Sequence, residues 1–331
     1  MNFTRREFLK AAGLAGMGSL ALSAVWRRLL PAAEAAPANA GVKPLTDQLA
    51  RVKVFEIDEP RLLDEFGNVR DDYLHGVLSR LLRVMTGTAQ PEDAWHHFFA
   101  KSDVIGIKFD PIAALELRTS APLARLLVES LLDADFEVER IMLIDGPIQP
   151  TEYSTRVPPF GYEEQPVKAG GRETHFLRAL SQVTALLNVP FLKDHRALGL
   201  SCGMANMALG LVSNPGEFLQ DGGDPGVAEL CACDQIRKKH RLTLVNAIRG
   251  IYDGGPRLAE GKAWNQASIV AATDFVAADR VALNLLDNAR FGRGLRSLAD
   301  AGRPTKYLDR AARLGLGEAD ISRIELRQVS L

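Results

Sequence analysis

The chain has 331 residues, which is enough to bury a sizeable core as one large domain or as two lobes. Its apolar content of 47% and charged content of 24% are typical of a globular protein. The net charge is −1, and the first 35 residues carry five basic and two acidic side chains, which leaves −4 for the remainder. This mild acidity is unlike a nucleic-acid-binding surface, so we expect no nucleic-acid partner.

Residues 1–35 are predicted to be an export signal. The pair Arg5-Arg6 precedes Phe-Leu-Lys and an uncharged run over Ala11–Val25, which is too short for a membrane span of about 20 residues. Candidate A-x-A cleavage sites follow at residues 33–35 and 38–40. The segment resembles a bacterial twin-arginine signal, which implies the twin-arginine translocase as a partner and a periplasmic or extracytoplasmic location. Proteins that resemble its clients are exported folded, often with a cofactor or partner, so this route is compatible with a cofactor, whose identity the sequence leaves open.

After a linker at residues 36–47, we expect an α/β domain over residues 48–331. Short β-branched runs predict strands, and longer segments with helical spacing alternate with them. The predicted fold is a mostly parallel sheet with helices on both faces, and one unit and two lobes are both open. The strands are RVKVFEI, DVIGIKF, VERIMLI, TALLNVP, LTLVNAI, SIVAAT and RIELRQV, and the helices include DYLHGVLSRLLRVM, APLARLLVESLLDAD and DFVAADRVALNLLDNA.

Two long segments interrupt this alternation. Residues 149–171 are rich in Pro, Gly and aromatic side chains, and residues 213–226 contain several Pro and Gly. Long loops in compact domains often serve a function, so the first is a candidate lid over a site, with a plain surface loop as the alternative.

Lys193 and His195 follow a strand predicted over Thr184–Val189. We expect both at the carboxyl edge of the sheet, where doubly wound sheets bind ligands, and both side chains on one face of an extended chain. There the ammonium could bind an anion, and the imidazole could titrate or bind a metal. The alternative is that both are solvated loop residues.

Ser201 is predicted to cap a helix over residues 202–211, whose first amides would favour an anion. One side of this helix carries only small residues, which allows a neighbouring backbone or a flat ligand to approach closely. The other side is an apolar stripe. The small residues are Gly203, Ala205, Ala208 and Gly210, and the stripe is Met204, Met207 and Leu211.

Three cysteines are too few for a disulfide framework, and we expect buried structural thiols. Cys231 and Cys233 fall in a segment predicted to be one helix, where residues two apart point away from each other. Together with Cys202 and His195 they remain secondary candidates for metal binding.

Three aspartates follow later strands. Asp253, in Tyr-Asp-Gly-Gly-Pro after a strand, is either a site residue or part of a plain turn. Asp274 is predicted to cap the helix that it begins, whereas Asp279, one turn later, could be a simple helix-surface charge.

Several motifs together resemble the family called domain of unknown function 362, in its twin-arginine-exported branch. They are LLNVPFLKDHRALGLS, NMALGLVSNP, YDGGP and ATDFVAADRVA, and the similarity extends from about Val104 to the C-terminus. The resemblance implies an α/β fold with marked residues at Lys193, His195, Asn206, Asp253, Asp274 and Asp279. Some members resemble fusions with iron–sulfur ferredoxin domains, although this chain has no C-x-x-C-x-x-C run.

Two positions depart from the family pattern. Members usually have lysine where this chain has Ala205, and often aspartate where it has Asn246. Loss of both would remove a charge pair or an acid/base couple from the implied site.

The leading functional hypothesis is a ligand or cofactor site at the carboxyl edge of the sheet. In it Lys193, His195 and Asp253 have catalytic roles, and Ser201, Gly203 and Asn206 bind the cofactor. A metal or redox role, with a cluster supplied by a redox partner protein, is part of this hypothesis. The alternative is a non-catalytic periplasmic binding or assembly subunit. A weaker third hypothesis, similarity to nickel-pincer lactate racemases, is opposed by the absence of a lysine nucleophile at position 205.

Overall fold

A computed structural model describes residues 51–147 and 153–331 of the chain. The predicted signal, the linker, residues 48–50 and residues 148–152, which include the first four residues of the predicted lid, lie outside these residues. Within the described ranges, no helix has the length and apolar character needed to cross a bilayer.

Every predicted strand is present, and four short strands were not predicted. The strands are β1 (Val52–Asp58), β2 (Ile105–Phe109), β3 (Ile141–Ile144), β4 (Val167–Ala169), β5 (Arg172–Thr174), β6 (Ala185–Val189), β7 (Phe191–His195), β8 (Gly199–Ser201), β9 (His240–Ile251), β10 (Ala263–Ala272) and β11 (Ile324–Val329).

All but the β4–β5 hairpin join in one nine-stranded sheet, in the order β11-β1-β10-β9-β6-β2-β3, with β7 on β9 and β8 on β7. Strands β9, β6, β2 and β3 are parallel to one another, and β7 is parallel to β9. Strand β10 is antiparallel to both of its neighbours. The predicted mostly parallel sheet is therefore confirmed, and the described residues give no support for two lobes.

The helices are α1 (Asp71–Thr86), α2 (Pro91–Trp95), α3 (Ala114–Leu117), α4 (Ser120–Asp133), α5 (Ala179–Gln182), α6 (Gly203–Ala208), α7 (Gly226–Ala232), α8 (Asp234–Arg237), α9 (Phe275–Phe291) and α10 (Lys306–Arg313).

Helices cover both faces of the sheet, as predicted. Apolar residues of α1, α2 and α4 form one core with alternate residues of β2, including Ile105 and Ile107. Residues of α6, α7, α9 and α10 form the cores on the opposite face, where Leu186 of β6 and Val245 of β9 contribute. The carboxyl ends of β2, β3, β6 and β9 consequently meet at one edge, which is the usual place for a ligand in this architecture.

Candidate functional site

A row of polar side chains crosses the middle of the sheet. Lys108 of β2 pairs in register with Asn188 of β6, which pairs with Thr243 of β9. All three are fully buried and alternate with apolar neighbours, so they project from the face that α6 covers. Buried polar groups are costly without hydrogen bonds, so the partners of this row define its role.

Lys108 has three partners for its three N–H donors. Its Nζ lies 2.6 Å from the carbonyl oxygen of Phe109, 3.0 Å from Oδ1 of Asn206 and 2.9 Å from Oδ2 of Asp145. The lysine side chain is fully buried, whereas 35% of the Asp145 side chain is exposed. The ammonium is thus saturated and holds Asp145 at the surface end of the row.

From Lys108 the row continues as a chain of hydrogen bonds. Asn206 Nδ2 donates to Asn188 Oδ1 at 2.8 Å, and Asn188 Nδ2 donates to Thr243 Oγ1 at 3.2 Å. Thr243 Oγ1 lies 2.8 Å from Nε2 of His240. Burial, followed by the charge of Arg241, lowers the pKa of His240 to about 3. The neutral ring can accept a hydrogen bond from the Thr243 hydroxyl group. Each hydrogen bond of the row is then donated in the same direction, from Lys108 towards His240.

Helix α6 begins at Gly203 and is not capped by Ser201, which lies in β8 opposite Lys193. Its first amides do bind an anion, but that anion is the carboxylate of Asp279. Gly203 N donates to Oδ1 at 2.6 Å and Met204 N to Oδ2 at 2.9 Å. Burial raises the pKa of Asp279 to about 7, although these amides oppose the rise. The prediction that Asp279 is a surface charge is therefore wrong, and the expected anion site is filled from within the chain.

Gly203 in α6 and Gly210 in the turn that follows α6 both lie close to buried charged side chains. A Cβ on Gly203 would lie 2.8 Å from Asp279 Oδ1, and one on Gly210 would lie 2.6 Å from Lys108 Nζ. The apolar stripe of Met204, Met207 and Leu211 is fully buried, as predicted for the other side. The close approach that we expected for a neighbouring backbone or a ligand is made by the chain's own polar row.

Lys193 and His195 lie within β7, because the chain continues as a strand after Pro190 instead of entering a loop. Lys193 is fully buried, with Nζ 2.7 Å from Asp110 Oδ2 and 3.0 Å from the Ile112 carbonyl oxygen. Lys193 is therefore not a solvated loop residue, and the anion that it binds in this structure is the carboxylate of Asp110. His195 is the last residue of β7 and so lies at the carboxyl edge.

His195 is not suited to titration near neutral pH. Burial, followed by the charge of Lys193, lowers the pKa of its imidazole to about 4. Its Nδ1 accepts hydrogen bonds from the backbone amides of Ala197 and Leu198, at 3.1 and 3.2 Å. The neutral ring therefore carries its proton on Nε2, which leaves no free lone pair for a metal.

Asp253 belongs to a different ionic group. Its carboxylate pairs with Arg290 at 3.1 Å, Lys262 at 3.2 Å and Arg303 at 3.7 Å. Burial alone would raise the pKa of Asp253, but the hydrogen bonds from Arg290 and Lys262 outweigh it and lower the pKa. Arg303 also pairs with the buried Asp194. Asp253 is thus held as a fixed carboxylate among cations, and Arg303 connects it to Asp194 of β7.

The three cysteines are buried or half-buried, and two of them donate hydrogen bonds. The helix predicted over residues 226–240 is broken at Cys233, between α7 and α8. Cys231 donates to the Met204 carbonyl oxygen at 3.6 Å and Cys233 to that of Glu229 at 3.4 Å. Burial raises the pKa of Cys202, Cys231 and Cys233. Among residues 51–147 and 153–331, no group of three or more His, Cys, Asp or Glu side chains is arranged to hold a metal ion.

A cavity of about 310 Å³ lies at the carboxyl end of β3. Ile144 and Asp145 form one wall, the segment Pro158–Tyr162 another, and Leu177 and Ala179 complete the lining. The segment belongs to the predicted lid, so the described part of that loop does border a cavity. Whether it moves stays a prediction.

Asp145 has a φ of 52°, in the left-handed region that non-glycine residues seldom adopt. Backbone conformations of this kind cluster at functional sites.

The sequence carries a local signal for the Lys108–Asp145 pair. A lysine lies inside the apolar strand IGIKF, and an aspartate directly follows the apolar strand IMLI.

The two departures from the family pattern lie at different places. Ala205 is buried within α6, beside the polar row. Asn246 accepts a hydrogen bond from Thr119 at 3.1 Å, and its Nδ2 has no partner among the described residues. Asn246 alternates in β9 with residues of the α6-side core, so it projects from the opposite face.

Asp274, as predicted, caps α9 by accepting hydrogen bonds from the amides of Val276 and Ala277.

Residues 121–284, just under half of the chain, match the family model described as Domain of unknown function (DUF362). This match supports the family that the sequence motifs resemble, and it includes Lys193, His195, Asn206 and Asp253. No curated protein matches the chain.

Proposed function

We propose that this chain is an exported protein that binds a small ligand or cofactor at the carboxyl edge of its sheet, in the cavity beside Asp145. The observation that carries the proposal is the buried ion pair of Lys108 with this partly exposed carboxylate. A buried lysine is costly, and a purely structural role could be filled by an apolar residue of similar volume.

In this pair, Lys108 positions the Asp145 carboxylate to accept a hydrogen bond from a ligand. Lys108 engages Oδ2, and the carboxylate lies at the cavity wall in a left-handed backbone conformation. Lys108 itself has no free N–H, so it acts as a positioning residue and not as a nucleophile.

The lining indicates the chemistry of the ligand. Asp145 is its charged side chain, and Phe160, Tyr162, Pro158 and Pro159 provide apolar and aromatic surface. A carboxylate accepts from an amine, and aromatic faces attract a cation. The cavity therefore favours a small molecule with an amino group on an apolar body.

Isothermal titration calorimetry with phenethylamine tests this proposal. We expect saturable binding that Asp145→Asn weakens about tenfold or more, because hydrogen bonds to charged groups contribute about 1.5–3 kcal/mol. Asp234→Asn is the matched control, since Asp234 also pairs with a lysine, Lys238, but on the surface. Equal affinities for the wild type and Asp145→Asn would refute the assignment.

Export and a redox association are further parts of the proposal. The Arg5-Arg6 signal supports translocation by the twin-arginine translocase. Replacing both arginines by lysine should retain the protein in the cytoplasm, as measured by cell fractionation.

Absorption and metal content of natively exported protein test for a metal or an iron–sulfur cluster supplied by a redox partner. Colourless, metal-free and folded protein would contradict that part.

A second candidate is the non-catalytic binding or assembly subunit. Phe160 and Val157, beside the cavity, are 97% and 82% exposed, which is unusual for large apolar side chains and typical of contact surfaces. Under this alternative, Val157→Ser disrupts a complex formed after export without changing amine affinity, because Val157 is exposed and outside the cavity lining. Loss of amine binding with an unchanged complex would instead favour the ligand site.

A further inference from the structure

A second cavity, of about 320 Å³, lies on the other side of the segment Phe176–Ser181. Leu177 and Ala179 of this segment line the first cavity, whereas Phe176, Leu180 and Ser181 line the second. Lys239, immediately before β9, is also in its lining, so this cavity lies at the amino end of that strand. Neither the sequence motifs nor the proposed amine site involves it.

Glu163 faces this cavity from a fixed backbone. Its amide donates to the Phe176 carbonyl oxygen at 2.8 Å, and its own carbonyl oxygen lies 2.9 Å from Nδ1 of His175. Its side-chain Oε1 is buried and has no hydrogen-bond partner among the described residues. Glu163 as a residue lines the cavity, so the accessible part of its carboxylate can accept a hydrogen bond from a bound molecule.

Lys239 supplies the opposite charge. Its Nζ donates to the Leu180 carbonyl oxygen. An ammonium has three donors, so it has further capacity for a ligand. Burial lowers the pKa of Lys239, and the charge of Glu163 opposes this. The lysine and the glutamate are therefore near enough to interact, yet each keeps hydrogen-bonding capacity for a bound molecule.

We propose that this cavity binds a small neutral polyol of monosaccharide size, with Glu163 accepting from one hydroxyl group and Lys239 donating to another. The two charges cancel, so an anion would be opposed by Glu163 and a cation by Lys239. Gln165 and Ser181 in the lining both donate and accept, as hydroxyl groups do.

The volume and the apolar wall agree with this ligand class. A space of about 320 Å³ is at the lower end of the range for small-molecule sites. Leu180 and Phe176 form an apolar wall against which the C–H face of a sugar ring can pack.

Saturation-transfer NMR and calorimetry of the full chain with D-glucose, D-galactose and myo-inositol test the proposal. We expect saturable binding of at least one, weakened about tenfold by Glu163→Gln and by Lys239→Met. Glu164→Gln and Lys238→Met are matched controls, since these adjacent residues are exposed and outside the lining. Both controls should bind as the wild type does.

The proposal is overturned if none of the three polyols binds, or if both cavity variants bind as well as the controls. Binding of malonate or putrescine in place of the polyols, lost in Glu163→Gln, would also overturn it. Circular dichroism of each variant establishes folding, and Lys239→Met carries the test alone if Glu163→Gln does not fold. Phenethylamine binding at the other cavity is unaffected by these variants, so the two proposals fail separately.

Discussion

The ion pair of Lys108 with Asp145 should be stronger than a surface pair, and a double-mutant cycle measures the difference. The charged atoms are 2.9 Å apart, the lysine is buried and the aspartate is 35% exposed. With an effective dielectric constant between about 40 and 80 for this partly exposed pair, Coulomb's law gives about 1.5–3 kcal/mol. Lys108→Met, Asp145→Asn and the double variant should therefore show a coupling free energy of that size.

Urea denaturation followed by circular dichroism supplies the four free energies of unfolding. The pair Lys238–Asp234 is the matched control, because its atoms are 2.7 Å apart but both side chains are largely exposed. Its cycle should give about 0.5 kcal/mol or less. A Lys108–Asp145 coupling no larger than that of the control would refute the claim that the sheet interior strengthens this pair.

Three further predictions concern other residues of the candidate site. In urea denaturation, Gly210→Ala should lower the free energy of unfolding by about 1–3 kcal/mol. The new Cβ would lie 2.6 Å from Lys108 Nζ, which three partners hold in place. The control Gly216→Ala, which has open space around it, should change that free energy by less than about 0.5 kcal/mol. The pKa of Asp279 is raised to about 7 in the folded chain, so its contribution to the free energy of unfolding is complete below about pH 4 and is lost as the pH rises to about 7. In Asp279→Asn, the decrease of this free energy between about pH 4 and pH 7 should disappear. An unchanged decrease would contradict the raised pKa of Asp279. His195 should titrate by NMR near pH 4, and a midpoint near its ordinary value of about 6.5 would contradict the burial of its ring.

The sheet was predictable because its strands have strong local signals. Each predicted run, from RVKVFEI to RIELRQV, is short, β-branched and bounded by turn residues, and each becomes a strand. Strand β7 was missed because Pro190 argued for a strand end. In the structure the proline separates two strands, and its carbonyl oxygen accepts from Asn246 N, which keeps the chain on the sheet.

The candidate site was predictable only in part, because its members come together through register. Lys108, Asn188 and Thr243 each looked like an isolated polar residue in an apolar strand, and only the pairing of three strands places them in one row. The sequence predicted an external anion at the first amides of α6, whereas the structure places an internal carboxylate there. That the anion is Asp279, 76 residues later, depends on how α9 packs, which no local pattern encodes.

The most direct test of the ligand site is a crystal structure of the chain equilibrated with phenethylamine. The account predicts the amine in the cavity between Asp145 and Pro158–Tyr162, with its nitrogen within hydrogen-bonding distance of the carboxylate, and an empty cavity in Asp145→Asn under the same conditions. An amine bound elsewhere, or bound equally in both proteins, would contradict it.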